Sequence, residues 1–211
     1  EEILPLVKRA EGCLRVARDA YDQKKPFEGV IALRDCCYNL ANAWIMACNG
    51  VPSVRPKDIY REVKCVGFKK FFDKVQGLEG ITRTQVKDLL DELKDLLDEV
   101  WKEPRGARTE YRNAVKSLAR GELCVAVLSA RYSAFYVGHR ILRLERGEVP
   151  IRPYDAESHL RMLEILNKLK RGDFIKIYRR LHGAERIDLK YLDESIRLIH
   201  RALDNFPVST S

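Results

Sequence analysis

The sequence predicts an all-α protein made of two related antiparallel helical-bundle units, about four helices each, packed into one body. Three observations carry that expectation. Apolar residues recur at steps of three and four along most of the 211 residues; no segment alternates apolar and polar residues as a half-buried strand does; and the pattern of the first half returns in the second at an offset of 97.

The first helix is read from Ile3, Val7, Ala10, Leu14, Ala17 and Tyr21, a series that places every member on one helical face. A break at Lys24-Lys25-Pro26 follows. The second helix carries Val30, Leu33, Cys37, Leu40, Trp44 and Ala47, and ends at Gly50 and Pro52, the first tolerant of positive φ and the second lacking an amide donor. Asp58 is the expected N-cap of a single helix running through "IYREVKCVGFKKFFDKVQ" to the Gly77 and Gly80 breaks. Thr82 and Gln85 form a capping-box pattern. The helix they open puts Val86, Leu89, Leu93, Leu96 and Val100 on one face and acids on the other, and Pro104 with Gly106 stops it.

Adding 97 to the second helix's apolar series gives Val127, Ala130, Ala134, Val137, Ile141 and Leu144, all apolar. The same offset takes Ala10 to Ala107, Leu14 to Tyr111, Arg15 to Arg112, Ala17 to Ala114 and Arg34 to Arg131. It also superposes "GVPSVRPKD" (50–58) on "GEVPIRPYD" (147–155). The last helix, "DLKYLDESIRLIHRALDNF", matches the Thr82 helix only after a further shift of six, so "FIKIYRRLHGAE" reads as an insertion. The expected domains are therefore 1–103 and 104–211. No flexible Gly/Ser linker separates them.

Charge distinguishes the halves. Residues 1–103 hold 18 Lys+Arg and 18 Asp+Glu, whereas residues 104–211 hold 21 and 13, so the whole net charge of +8 belongs to the second half. The six cysteines show no C-x-x-C pair and no histidine at finger spacing, which points to reduced thiols acting as small core hydrophobes, with no metal. No phosphate loop, nucleophile elbow or metalloprotease motif is present, and no cofactor is implied. No apolar run reaches the roughly 20 residues of a membrane span, and the first residues lack a signal-peptide pattern. A cytoplasmic protein without a membrane role, monomer or dimer, is expected.

Arg108, Arg112, Lys116 and Arg120 recur every fourth residue and form a cationic stripe along one helix; Arg140 and Arg143 add charge near the end of the next. Such a stripe neutralises phosphates, and tyrosines such as Tyr136 and Tyr154 are candidates to stack on unpaired bases. The partner this implies is nucleic acid, RNA before DNA, or else an acidic protein. Arg34 and Arg131 sit inside long helices beside the apolar seam. There an unpaired charge is costly, so each needs a partner from another helix or from an anion.

The paired helices with small core residues in "ALRDCCYNLANAWIMACNGVPSVRPKD" and "VLSARYSAFYVGHRILRLERGEVPIRPYDAESHL" resemble the HEPN superfamily of helical bundles, here as a tandem pair. Ribonuclease members of that family use a closely spaced Arg and His, the His in proton transfer and the Arg on phosphate charge. Arg152 and His159, with six residues between them, meet that spacing; in the first half Arg55 is followed by Glu62 instead of a His. Pro153 stands where the family has its Asn after the Arg. The expected function is a non-enzymatic RNA-binding or assembly module. Its alternatives are a metal-independent ribonuclease using Arg152 and His159, and an interaction scaffold, which the resemblance suggests with a nucleotidyltransferase-like or other enzyme partner.

Overall fold

The computed structural model describes residues 3–65, 67–99, 105–147 and 150–206, and the side chains of all these except Asn49, Cys65, Glu99 and Arg105. Among them are ten α-helices and no strand: α1 (Ile3–Asp22), α2 (Pro26–Asn49), α3 (Pro56–Cys65), α4 (Lys69–Gln76), α5 (Arg83–Glu99), α6 (Arg105–Ala119), α7 (Leu123–Arg146), α8 (Ala156–Lys168), α9 (Gly172–Leu181) and α10 (Leu189–Asp204). A 3₁₀ turn, Ala184–Arg186, precedes α10. No described helix is long and apolar enough to cross a membrane.

The caps explain most boundaries. Pro26 opens α2 at a position where its missing amide costs nothing, and Gly50 closes it at φ 75°, donating its amide to the Met46 carbonyl. The capping box of α5 forms reciprocally: the Gln85 amide donates to Thr82 Oγ1 (3.3 Å) and the Thr82 amide to Gln85 Oε1 (2.9 Å). Asp188 caps α10 by accepting from the Tyr191 amide at 2.7 Å. Val100 and Pro104, expected at the end of α5, lie outside the described residues.

Two expected elements are corrected. The single helix after Asp58 is two helices, because Gly67 at φ 74° breaks the chain between α3 and α4 and the Phe68 amide turns back to the Val63 carbonyl. Among the described residues, each half of the sequence thus supplies five helices rather than four. Asp58 is not a cap: α3 begins at Pro56, which leaves Asp58 in the first turn, where a carboxylate still complements the helix dipole. Its counterpart Asp155 does cap, accepting from the Ser158 amide at 2.8 Å. The difference lies in Tyr154, whose φ of 60° prevents helix from starting until Ala156.

The chain separates into two compact units that do not follow the halves 1–103 and 104–211. One is built from Glu1–Gly77, Arg152–Leu160 and Arg186–Ser211; the other from Leu78–Ile151 and Arg161–Glu185. In the first, α10 packs on α1, α2 and α4; in the second, α5 packs on α6, α7 and α9. The fifth helix of each sequence half therefore belongs to the bundle of the other half.

Within the first unit the core is formed by the buried faces of α1 and α2, where Val30, Leu33, Cys37 and Leu40 are fully covered as expected. Trp44 is only partly covered and Ala47 is exposed. Val7, Ala43 and Phe206 form a cluster at one end, with Trp44 and Phe206 meeting edge to face at 5.3 Å. In the second unit Val127, Ala130, Ala134, Val137 and Ile141 are buried, but Leu144 is 57% exposed because the last turn of α7 runs past its neighbours into solvent. Gly138 admits Phe174 of α9 and Met162 of α8 to α7; a Cβ there would lie 2.8 Å and 3.0 Å from them.

The two helical hairpins repeat one contact. Cys36 Sγ donates to the Ala10 carbonyl at 3.1 Å, and Ser133 Oγ, 97 residues on, donates to the Ala107 carbonyl at 2.8 Å.

Candidate nucleic-acid interface

In the second unit α6 and α7 form an antiparallel hairpin turned by Gly121 at φ 75°. Ala107 and Ala114 of α6 are fully buried against α7, and this fixes which side of α6 meets solvent. Arg108, Arg112, Lys116 and Arg120 are all exposed. They are not equally free. Arg108 pairs with Asp98 of α5 at 3.5 Å, whereas Arg112, Lys116 and Arg120 have no ion-pair partner among the described residues. Val115, 42% exposed, lies among them.

Acids crowd the Arg108 end. The Tyr111 phenol is pushed above its ordinary range, first by partial burial and then by Asp91, Asp98 and Asp95 of α5, with Lys94 opposing. The acids of α5 thus lie beside the N-terminal half of α6, while Lys116 stands in its last turn and Arg120 follows just past its end. Arg143 is exposed and Arg140 half-buried in the last turns of α7, which the hairpin brings to the Arg108 end.

The expected stacking tyrosines are occupied. Tyr136 meets Tyr132 edge to face at 4.8 Å, their hydroxyls 3.2 Å apart, and its ring lies 3.7 Å from where a Gly106 side chain would begin. Tyr154 belongs to the first unit. Its ring tilts against Tyr38 at 4.5 Å and its hydroxyl donates to the Val54 carbonyl at 2.8 Å.

The first unit also holds Arg152 and His159, in different surroundings. Arg152 is exposed. His159 is 6% exposed and its Nδ1 lies 2.9 Å from Oδ2 of Asp35, itself 4% exposed. Asn39, one turn beyond Asp35, donates to the Tyr154 carbonyl (2.8 Å) and the Asp35 carbonyl (2.9 Å). This buried polar cluster ties the Tyr154–His159 segment to α2. Cys13 sits beside it, its thiol pushed up to about 12 by burial first and then by Asp35, so it is no nucleophile at neutral pH. Sequence reasoning missed Asp35 and Asn39. Their signal was present: polar residues four apart inside an otherwise apolar helix seam.

Arg34 and Arg131 are buried and point to the ends of short helices. Arg131 Nε donates to the Leu181 carbonyl at 2.8 Å, at the C-terminus of α9. Arg34 Nη2 lies 2.8 Å from where a Cβ on Gly77 would stand, at the C-cap of α4, and the Arg34 carbonyl accepts from Gln76 Nε2 at 3.1 Å. A helix C-terminus presents orphan carbonyls and partial negative charge, so a cation there is stabilising. Each buried guanidinium thus lies at a helix C-terminus.

No group of three or more His, Cys, Asp or Glu among the described residues is placed to hold a metal ion. Comparison of the chain with protein-family models, curated proteins and solved structures finds no match.

Proposed function

We propose that this protein binds single-stranded RNA, without cleaving it, through the solvent face of α6. The observation that carries the reading is the run Arg112, Lys116, Arg120: three exposed cations at four-residue spacing, none with an ion-pair partner among the described residues. Residues four apart on a helix are stacked about 6 Å apart along its axis, a step that suits successive phosphates of an unstacked strand. Cations of this kind neutralise phosphates and release counterions. With Tyr136 and Tyr154 engaged inside the protein, base stacking adds little, so the binding is read as electrostatic and tolerant of sequence.

Fluorescence anisotropy with a labelled single-stranded RNA tests this. Three phosphate contacts correspond to a slope of log K against log[salt] of about −2. Changing Arg112, Lys116 and Arg120 together to Glu is expected to abolish both binding and slope. Affinity indifferent to salt, or retained by the triple variant, would refute the proposal.

Two further elements belong to the same proposal. Internal duplication of a five-helix unit is supported by the equal lengths of α2 and α7 at an offset of 97 and by the paired Cys36 and Ser133 contacts. A HEPN-like ancestry is supported by the same paired long helices. The ribonuclease form of that kinship has less support, since His159 is enclosed and hydrogen-bonded to Asp35 while Arg152 faces solvent.

A further inference from the structure

We infer a second ligand site, in the first unit, for a small phosphorylated molecule that also carries hydroxyl groups. A cavity of about 270 Å³ is lined by Lys74, Glu194, Arg197, Leu198 and Arg201. Lys74 stands in the last turn of α4; Glu194, Arg197, Leu198 and Arg201 stand at i, i+3, i+4 and i+7 and share one face of α10. The packing of α10 on α4 within this unit forms the cavity.

Its charges set the ligand class. Arg197 is held by Asp193, one turn away, at 2.8 Å. Lys74, Arg201 and Glu194 have no ion-pair partner among the described residues, although they line the same cavity. Two free cations with a third beside them attract a dianion, and a phosphate monoester offers enough oxygens to engage all three. Glu194 repels phosphate but accepts hydrogen bonds from hydroxyls, and Leu198 supplies an apolar patch. The volume falls just below the roughly 300–1,000 Å³ of drug-sized ligand sites. A sugar phosphate or nucleoside monophosphate suits this combination better than a polyanionic strand, which Glu194 would oppose at every phosphate. The site shares no residue with the α6 stripe, so either assignment can fail alone.

Isothermal titration of the full chain with inorganic phosphate and with ribose 5-phosphate, at constant ionic strength, tests the assignment. Ribose 5-phosphate is expected to bind more tightly than phosphate, and Lys74→Gln with Arg201→Gln to weaken both by on the order of tenfold per cation removed. Glu194→Ala separates the two ligands, strengthening inorganic phosphate by removing the acid while removing the acceptor that gives the preference for the sugar. The Arg112, Lys116, Arg120 triple variant should bind both as the wild type does. Unchanged binding in the Lys74/Arg201 variant, with native circular dichroism, would overturn the site. Preserved sugar preference in Glu194→Ala would overturn the role given to hydroxyls, and an RNA oligonucleotide that displaces phosphate and loses affinity on Lys74/Arg201 substitution would overturn the small-molecule assignment.

Discussion

Replacing Gly29 by alanine probes the contact on which the first unit depends. Gly29 lies in the first turns of α2, where a Cβ would meet Leu192 of α10 at 2.5 Å (Cδ2), 2.8 Å (Cδ1) and 3.3 Å (Cγ). Leu192 is fully buried, so no empty rotamer well receives its displaced methyls. Overpacking a filled site costs roughly 1–3 kcal/mol. Against this, alanine gains up to about 1 kcal/mol of helix propensity over glycine. The single variant is therefore expected to lose about 0–2 kcal/mol. Leu192→Ala, which deletes a buried side chain, is expected to lose about 2–5 kcal/mol.

The double variant is decisive because the sign reverses. With Leu192 trimmed to alanine, the methyl at position 29 enters vacated space, the clash vanishes and the propensity gain remains. Gly29→Ala should then stabilise the Leu192→Ala background by about 1 kcal/mol. Urea unfolding followed by far-UV circular dichroism on the four proteins of the cycle measures each term. If Gly29→Ala has the same effect in both backgrounds, the two positions are not in contact, and the placement of α10 on α2 is wrong.

Two other outcomes follow from the same packing. Truncation after Glu185 removes α10 and should expose α1, α2 and α4 to rapid amide hydrogen exchange while α6, α7 and α9 stay protected; uniform loss of protection, or none, would contradict the assignment of α10 to the first unit. Thiol titration of the native protein should modify exposed Cys48 quickly and leave Cys13, Cys36 and Cys37 unmodified until denaturant is added, because burial raises all three thiols and holds Cys13 protonated up to about pH 12; rapid native labelling of Cys36 would refute it.

Much of the helical layout was legible because local signals set it. The Thr82 capping box, the Gly50 and Gly77 ends and the buried seam of α2 each depend on residues within one or two turns. The Gly67 break was not, since a glycine inside an amphipathic run is as compatible with a tolerated helix position as with a turn until packing decides. Unit membership was illegible for a different reason. An amphipathic helix announces that it has an apolar face but not which neighbour covers it, and α5 and α10 carry near-equivalent faces in sequence. The stripe on α6 was readable from spacing alone, whereas its partial neutralisation by Asp98 depends on a neighbouring helix.

Positions that share the offset of 97 carry different chemistry in α2 and α7. At offset 97, Asp35 and Asn39 of α2 become Tyr132 and Tyr136 of α7. The first pair anchors His159 and Tyr154 by buried hydrogen bonds; the second fills its space with rings that bond to each other. Both arrangements are closed, each bonding within its own unit. Arg34 and Arg131 follow the same logic, each meeting the end of a short helix. Arg112 and Lys116 on α6, Arg120 just past its end, and Lys74, Glu194 and Arg201 around the α10 cavity carry charge without ion-pair partners among the described residues. Long charged side chains lose entropy when ordered and gain little from water alone, so charges of this kind serve best where a ligand of complementary charge completes them.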